Sequence, residues 1–177
     1  MAQFEFILSG FGGQGILSMG MIMAHAGMIE GKNVSWLPSY GPEMRGGTAN
    51  CNVIISDSPV GSPIVNVADG IVCMNGPSFD KFESFLKPGG IAVADGSLVE
   101  RTPVRTDITY AALPATEMAD KAGNKAYAGI ALLGKLISAT HAVTAEAFEE
   151  ALRHVLPERR HYMIPDEMEM LKKGMTY

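Results

Sequence analysis

The chain contains little cysteine and little charge. Of its 177 residues, two are cysteines and 19% are Asp, Glu, Lys or Arg. Cys51 and Cys73 each lie within an apolar, strand-like segment, and no pair of cysteines has Cys-x-x-Cys spacing. We therefore expect two buried free thiols, and we expect this chain to build neither an iron–sulfur cluster nor a zinc site by itself.

Long apolar runs and an excess of basic residues are also missing. No apolar run reaches the roughly 20 residues that a transmembrane helix needs, and the first residues lead directly into a strand that contains Glu5, unlike a secretory signal. The net charge of −5 argues against a general nucleic-acid binder. We expect a cytoplasmic protein that binds neither nucleic acid nor membrane. Its length predicts one domain over residues 1–177, with a core over 1–157 and a C-terminal tail over 158–177.

Glycines are concentrated near the start of the chain. Residues 4–8 are apolar and aromatic, which predicts a buried strand. Four glycines follow within six residues, and an apolar helical pattern begins after them: Gly10, Gly12, Gly13 and Gly15. A strand, a glycine turn and a helix start form the first half of a βαβ unit, whose free N–H groups favour an anion such as a phosphate.

The spacing Gly10-x-Gly12-x-x-Gly15 fits the dinucleotide fingerprint only in part. The fingerprint also needs an Asp or Glu at the end of the next strand, where it holds the ribose hydroxyls. That strand, at residues 33–37, runs into Pro38 and Ser39, with no carboxylate. The sequence therefore predicts the phosphate-binding half of the site without the NAD-specific half. A tight turn that binds nothing is the alternative.

The remaining chain alternates short apolar strands with helical patterns. We predict strands at 33–37, 48–56, 70–74, 91–94 and 108–113, and helices at 15–28, 78–86, 116–121, 127–139 and 144–156. Residues 87–90 are predicted to be a helix-stopping turn, and residues 60–65 a short edge segment. This order predicts an α/β fold, a Rossmann-like three-layer sandwich with a mostly parallel sheet. The segment 48–65 could add an antiparallel edge hairpin.

A second glycine-rich loop follows the second predicted strand. Residues 39–48 read Ser-Tyr-Gly-Pro-Glu-Met-Arg-Gly-Gly-Thr. Both glycine loops follow the carboxyl end of a strand, which is the edge where ligands bind in open parallel sheets. Arg45 suits an anionic ligand or the carboxylate of a partner. Pairing between Glu43 and Arg45, or with solvent, is the alternative.

Other reaction classes are less well supported. Ser97 lacks the Gly-x-Ser-x-Gly turn of hydrolases. All four histidines are predicted on or beside helices, away from the ligand edge: His25, His141, His154 and His161. A methyltransferase is possible because residues 86–90 form a common helix-to-strand turn in that class, but the ribose-binding acid is missing there too.

Four stretches together resemble the gamma subunit of the 2-oxoacid:ferredoxin (2-oxoacid:acceptor) oxidoreductase family, of the 2-oxoglutarate or branched-chain 2-oxoacid type. In order, they are residues 10–15, 39–47, 86–90 and 114–117, and the second is the most diagnostic. The resemblance implies one subunit of a heteromeric complex that converts a 2-oxoacid and coenzyme A to acyl-coenzyme A, CO2 and a reduced acceptor. Ferredoxin or a similar protein would be that acceptor.

The resemblance also implies where the cofactors reside. Thiamine diphosphate, Mg and the iron–sulfur clusters would lie on alpha and beta subunits, with or without a ferredoxin-like delta subunit. This chain would have little or no activity alone. In the family, the gamma domain is associated with coenzyme A, so the resemblance transfers coenzyme A contacts to this chain. The transferred positions are Gly12, Gly13, Gln14 and Gly15, with Ser39 and Arg45. No catalytic or metal-binding residue is expected. A purely structural subunit and a free-standing nucleotide-binding enzyme are the alternatives.

Overall fold

The computed structural model describes residues 2–39 and 48–177 of the chain. Within those ranges it contains six strands and six α-helices, which are, in order, β1 (Gln3–Phe11), α1 (Ile16–Ile29), β2 (Asn33–Ser39), β3 (Thr48–Ser56), β4 (Ala68–Cys73), α2 (Gly76–Phe82), β5 (Leu86–Asp95), β6 (Thr109–Leu113), α3 (Ala115–Ala122), α4 (Tyr127–Thr140), α5 (Ala145–Val155) and α6 (Ile164–Thr176). Short 3-10 helices occupy Glu83–Phe85 and Glu158–Met163. None of the helices in these ranges is long and apolar enough to cross a membrane.

The six strands form one sheet in the order β2-β3-β1-β4-β5-β6. The pairs β1–β4, β4–β5 and β5–β6 are parallel. Strand β3 is antiparallel to both of its neighbours, β1 and β2. The predicted α/β fold with an antiparallel pair at one edge is confirmed. The predicted members of that pair are wrong, because β3 pairs with β2, and residues 60–65 form no strand.

Strand β3 lies inside the sheet and buries apolar side chains on both faces. Cys51, Val53 and Ile55 join the core on one face, while Ile54 is fully buried on the other. A strand that buries apolar side chains on both faces needs cover on both sides. The edge position therefore goes to β2, where Pro38, which has no N–H to donate to a ladder, is tolerated.

Two apolar clusters, one on each face of the sheet, make the three layers. The larger cluster joins the sheet to α1, α3, α4, α5 and α6. The smaller one joins it to α2 and to the coil segments at 57–67 and 96–108, through Val65, Phe79 and Val99. Helical cover is therefore concentrated on one face, and the site described below lies on that face.

The tail at 158–177 packs on its own domain. Ile164, Met170 and Leu171 are buried in the larger cluster. Helix α6 reaches α4 through two glycines: a Cβ on Gly174 would lie 1.9 Å from the carbonyl oxygen of Ala131, and one on Gly134 would lie 2.2 Å from that of Leu171. The backbones of α4 and α6 can approach this closely only where no side chain separates them.

The predicted turn at residues 87–90 is wrong, because these residues belong to β5. Leu86 pairs with Ala68 and Ile91 pairs with Gly70, so the four residues between them bulge from the ladder. Gly89 supplies the required left-handed conformation, at φ 81°. Proline and glycine occur in bulges as well as in turns, so the pattern alone did not separate the two structures.

Candidate functional site

A tight glycine turn joins β1 to α1. The turn closes where the N–H of Gln14 donates to the carbonyl of Phe11 at 3.2 Å. Gly13 and Gly15 have φ of 89° and 80°, the left-handed region in which other residues are strained. The predicted strand, glycine turn and helix start are confirmed.

Gln14 holds the turn in shape. Its Oε1 accepts a 2.6 Å hydrogen bond from the N–H of Phe11, and its Nε2 donates to the carbonyl of Met74 at 3.4 Å. The side chain thus ties the turn to the end of β4, next to β1 in the sheet. It braces the backbone that would meet a ligand, and a direct ligand contact from Gln14 stays a prediction.

The start of α1 is open to an anion. Its N-terminal cap is Gly15, which offers no side-chain hydrogen bond, and the first turn contains no acidic residue. The N–H groups before the first helical bond, from Met19 to Gly15, have no carbonyl partner within the helix. A Cβ on Gly13 or Gly15 would meet no atom within 4 Å of the described chain. A ligand can therefore approach this positive helix end.

The turn opens into a cavity of about 450 Å³, within the range of small-molecule sites. The 3-10 helix Glu158–Met163 and the starts of α4 and α6 close its far side. Its wall is mainly apolar, with Met19, Ile22, Met74, Leu98, Ala119, Ala126, Ala128, Ile130, Leu156 and Met163. The polar part of the wall consists of the glycine turn with Ser18, Thr116, Asp120, Lys125, Arg160 and Glu167.

Two basic side chains, Lys125 and Arg160, stand on this wall. Within residues 2–39 and 48–177, neither forms an ion pair. Both are exposed, so little desolvation opposes their charge. Together with the start of α1, they give the cavity three positive elements for an anionic ligand.

Glu167, on the first turns of α6, is the unusual group in this wall. The residue is only 5% exposed, and its Oε2 atom is buried without a hydrogen-bond partner in the described chain. Burial raises the pKa of Glu167 to about 7, against the lowering effect of Arg160. Near neutral pH this carboxyl is therefore divided between its neutral and charged forms.

The residues predicted to form the site do not all meet at the cavity. Gly13, Gln14 and Gly15 line it, while Gly12 lies in the same turn but not on the wall. Ser39 ends the edge strand β2, opposite Asn50 of β3, and does not line the cavity. Arg45 lies outside the described residues.

Sequence reasoning missed Lys125, Arg160 and Glu167. Each stands in a charged or mixed segment that resembles an ordinary solvated face. A weak signal was available for Arg160, which follows the helix-ending Pro157 and precedes an apolar pattern. Such a pattern predicts a tail that folds back, but it does not predict onto which cavity.

The sheet order gives a second reason against an NAD site. In a dinucleotide-binding unit, the strand after the first helix pairs with the first strand and carries the ribose-binding acid. Here β3 lies between β1 and β2. Both the acid and the neighbouring strand that should carry it are therefore missing beside the glycine turn.

The two cysteines are poor candidates to share an iron–sulfur cluster. Cys51 belongs to the apolar cluster on one face of the sheet and Cys73 to the cluster on the other. Burial raises the pKa of each thiol to about 12. Cluster ligation needs accessible thiolates that converge, which this pair does not supply.

We expect neither thiol to react with iodoacetamide in the folded chain at about pH 8, because the thiolate is both rare and inaccessible. Both should be alkylated after unfolding in guanidinium. Intact-mass measurement of the two samples checks this. Modification of the folded chain at either cysteine would contradict the burial of that thiol.

Comparison with known proteins places this fold in a family. The model of the pyruvate ferredoxin/flavodoxin oxidoreductase family matches residues 5–177. The ketoisovalerate oxidoreductase subunit VorA of Methanothermobacter marburgensis is 40% identical over 82% of the chain, which spans only 30% of that subunit. The 2-oxoglutarate synthase subunit KorC of Methanocaldococcus jannaschii is 36% identical over 87% of this chain and 84% of its own length.

The match to solved structures extends from end to end of the chain. The gamma subunit of a keto/oxoacid ferredoxin oxidoreductase from Geobacter sulfurreducens superposes with a TM-score of 0.87 and 31% identity, covering 99% of this chain and 98% of that one. The resemblance inferred from the glycine-rich motifs is thus confirmed. This chain belongs to the pyruvate ferredoxin/flavodoxin oxidoreductase family, in its gamma-subunit group.

Proposed function

We propose that this chain is the gamma subunit of a cytoplasmic 2-oxoacid:ferredoxin (or similar acceptor) oxidoreductase complex, and that it binds coenzyme A beside the glycine turn. Alpha and beta subunits, with or without a delta subunit, would carry thiamine diphosphate, Mg and the iron–sulfur clusters. The complex would oxidatively decarboxylate a 2-oxoacid and transfer the acyl group to the thiol of coenzyme A. The relatives' names, a ketoisovalerate oxidoreductase and a 2-oxoglutarate synthase, favour a branched-chain 2-oxoacid or 2-oxoglutarate.

The observation that supports coenzyme A is the combination of the uncapped start of α1 with the cavity beside it. Coenzyme A carries a pyrophosphate, a ribose phosphate, a base and a thin, largely apolar arm. The glycine turn and first-turn N–H groups suit the pyrophosphate. Lys125 and Arg160 suit the remaining phosphate charge, and the apolar wall suits the base or the arm.

We expect Arg160→Gln to raise the KM for coenzyme A at least about tenfold, because a charge-assisted contact to phosphate is worth about 1.5–3 kcal/mol. The coenzyme A-independent decarboxylation, followed with an artificial electron acceptor, should keep its rate. The KM and the decarboxylation rate are measured on the complex, which is purified anaerobically from its own host through an affinity tag on this chain.

Arg159→Gln is the matched control for that experiment. Arg159 is the exposed neighbour of Arg160 and does not line the cavity. Its loss removes the same charge from the same 3-10 helix, so coenzyme A kinetics should stay as in the wild type. Equal KM values for coenzyme A in the two variants would reject the proposed binding site.

A purely structural subunit is the second candidate function. It is favoured by two exposed apolar side chains on the ligand edge of the sheet, Phe11 at 40% and Leu98 at 42% exposure, which suit contact with a partner chain. In that case, substitutions around the glycine turn would dissociate the complex and leave coenzyme A affinity normal in what remains assembled. Native mass measurement of each variant complex separates the two functions.

A further inference from the structure

Glu167 carries a buried carboxyl that the described part of the chain leaves partly unpaired. It is 5% exposed, its Oε2 has no hydrogen-bond partner among the described residues, and it makes no ion pair with them. A buried, unsatisfied carboxyl costs stability and calls for an explanation. Glu167 also lines the cavity, so a ligand group is the available partner.

The surroundings of Glu167 narrow the kind of group it can meet. The cavity wall that it shares is mainly apolar, with Ile22, Ala128 and Met163 among its members. A flat, uncharged group with a polar edge satisfies both the apolar wall and the carboxyl. A phosphate does not, because a carboxylate repels it and the glycine turn and the basic residues suit it better.

The direction in which coenzyme A must lie gives a second argument. Under the proposed function, the thiol reacts at the thiamine cofactor on a partner subunit, so the arm that carries the thiol must leave this chain. With the pyrophosphate at the glycine turn, the end that remains for the cavity is the nucleotide. Its base is a flat heteroaromatic ring with a polar edge.

We propose that the apolar part of the cavity binds the adenine base of coenzyme A, and that Glu167 hydrogen-bonds to the amino edge of that base. This inference rests on the proposed function and adds to it a residue that recognises the base through hydrogen bonds. A protonated carboxyl presents one O–H donor and one carbonyl acceptor. Adenine presents a ring-nitrogen acceptor beside an amino donor, so the two groups pair through two hydrogen bonds.

The ionisation behaviour of Glu167 agrees with this pairing. Burial raises the pKa of Glu167 to about 7. A base that pairs with the neutral carboxyl can therefore bind near neutral pH. The charged and titratable groups around it are Arg160, Tyr127, Lys125 and Asp120. Because deprotonation removes the O–H donor, the KM for coenzyme A should rise between about pH 6 and pH 8 in the wild type.

Base discrimination by the anaerobically purified complex tests the inference. The two substrates are coenzyme A and its purine analogue, in which a hydrogen atom replaces the amino group. The wild type should prefer coenzyme A about tenfold in kcat/KM, the size of effect expected for one lost hydrogen bond that leaves the carbonyl acceptor of Glu167 unpaired. Glu167→Leu, which removes a buried carboxyl without leaving a hole, should lose the preference.

Glu167→Gln is the matched conservative variant. Its amide offers one donor and one acceptor at every pH and pairs with adenine in the same way. It should keep the preference for adenine and lose the rise of KM with pH. A merely structural role for Glu167 would instead change thermal stability in both variants without changing the ratio between the two substrates.

The failure of this inference can be distinguished from that of the proposed function. If Arg160→Gln raises the KM for coenzyme A and Glu167→Leu keeps the wild-type preference for adenine, then the cavity binds coenzyme A but Glu167 does not read the base. If Arg160→Gln also leaves the KM for coenzyme A unchanged, the proposed function fails as well.

Discussion

Gly174→Ala is expected to lower the free energy of unfolding by about 3 kcal/mol, the upper part of the range for overpacked cores. The added Cβ would lie 1.9 Å from the carbonyl oxygen of Ala131. Neither partner can turn away, because the obstacle is the backbone of α4 and not a flexible side chain. At this chain length, such a loss corresponds to a fall in Tm of roughly 6–12 °C.

The control for this effect is Gly76→Ala, at the start of α2. A Cβ on Gly76 meets nothing within 4 Å in the described chain, and alanine restricts the unfolded chain, so the variant should be neutral or slightly more stable. Thermal unfolding of both variants by circular dichroism measures the difference. If Gly174→Ala has the same Tm as Gly76→Ala, then α6 does not cross α4 as the structure shows.

Gly13→Val is expected to have the largest effect on coenzyme A, raising its KM roughly 30-fold or more, equivalent to about 2 kcal/mol of binding energy. The side chain would project into the space in front of the turn, where the pyrophosphate is proposed to lie. The left-handed backbone at φ 89° also disfavours a β-branched residue by roughly 1–2 kcal/mol. Steady-state kinetics of the complex measures the KM.

Gly31→Val distinguishes the loss of coenzyme A binding from the effect of backbone strain. Gly31 lies beyond the opposite end of α1, has φ 77°, and faces equally open space. The two variants should therefore lose similar stability, and only Gly13→Val should raise the KM for coenzyme A. The proposed role of the glycine turn is wrong if both variants bind coenzyme A with the same KM.

The glycine turn could be predicted because its cause is local. Gly13 and Gly15 are required by their own backbone angles, and the strand before them and the helix after them have distinct apolar periodicities. The same holds for α5, where Thr144 accepts the N–H of Ala147 at 3.1 Å as an N-terminal cap. Such features depend on a few consecutive residues, which a sequence displays directly.

The position of β3 could not be read in the same way. Alternation along residues 48–56 predicts a strand and its buried face, but it carries no information about which strands become its neighbours. Only Ile54, an apolar residue on the otherwise polar face of residues 48–56, indicated that both faces are covered. Strand order is decided by the packing of the whole sheet, as is the placement of residues 87–90 in a bulge.

The charged cavity residues were unpredictable for a related reason. Glu167 lies in an amphipathic helix among other charged residues, where a carboxylate normally faces water. It is buried because α6 crosses α4 at Gly134 and Gly174, which carries its first turns to the cavity. That crossing depends on two glycines forty residues apart, and neither one alone predicts it.

The insertion of β3 also constrains the order in which the sheet can assemble. Because β1 and β2 never touch, the segment from β1 through α1 to β2 cannot close into a folding unit by itself. Strands β2 and β3 are close along the chain, with Ser39 opposite Asn50, whereas β1 reaches β3 only across α1, with Phe11 opposite Thr48. Loop-closure entropy therefore favours a β2–β3 hairpin that docks onto β1 as one piece. The glycine turn, which begins where β1 ends, is anchored on its β3 side only once that docking is complete.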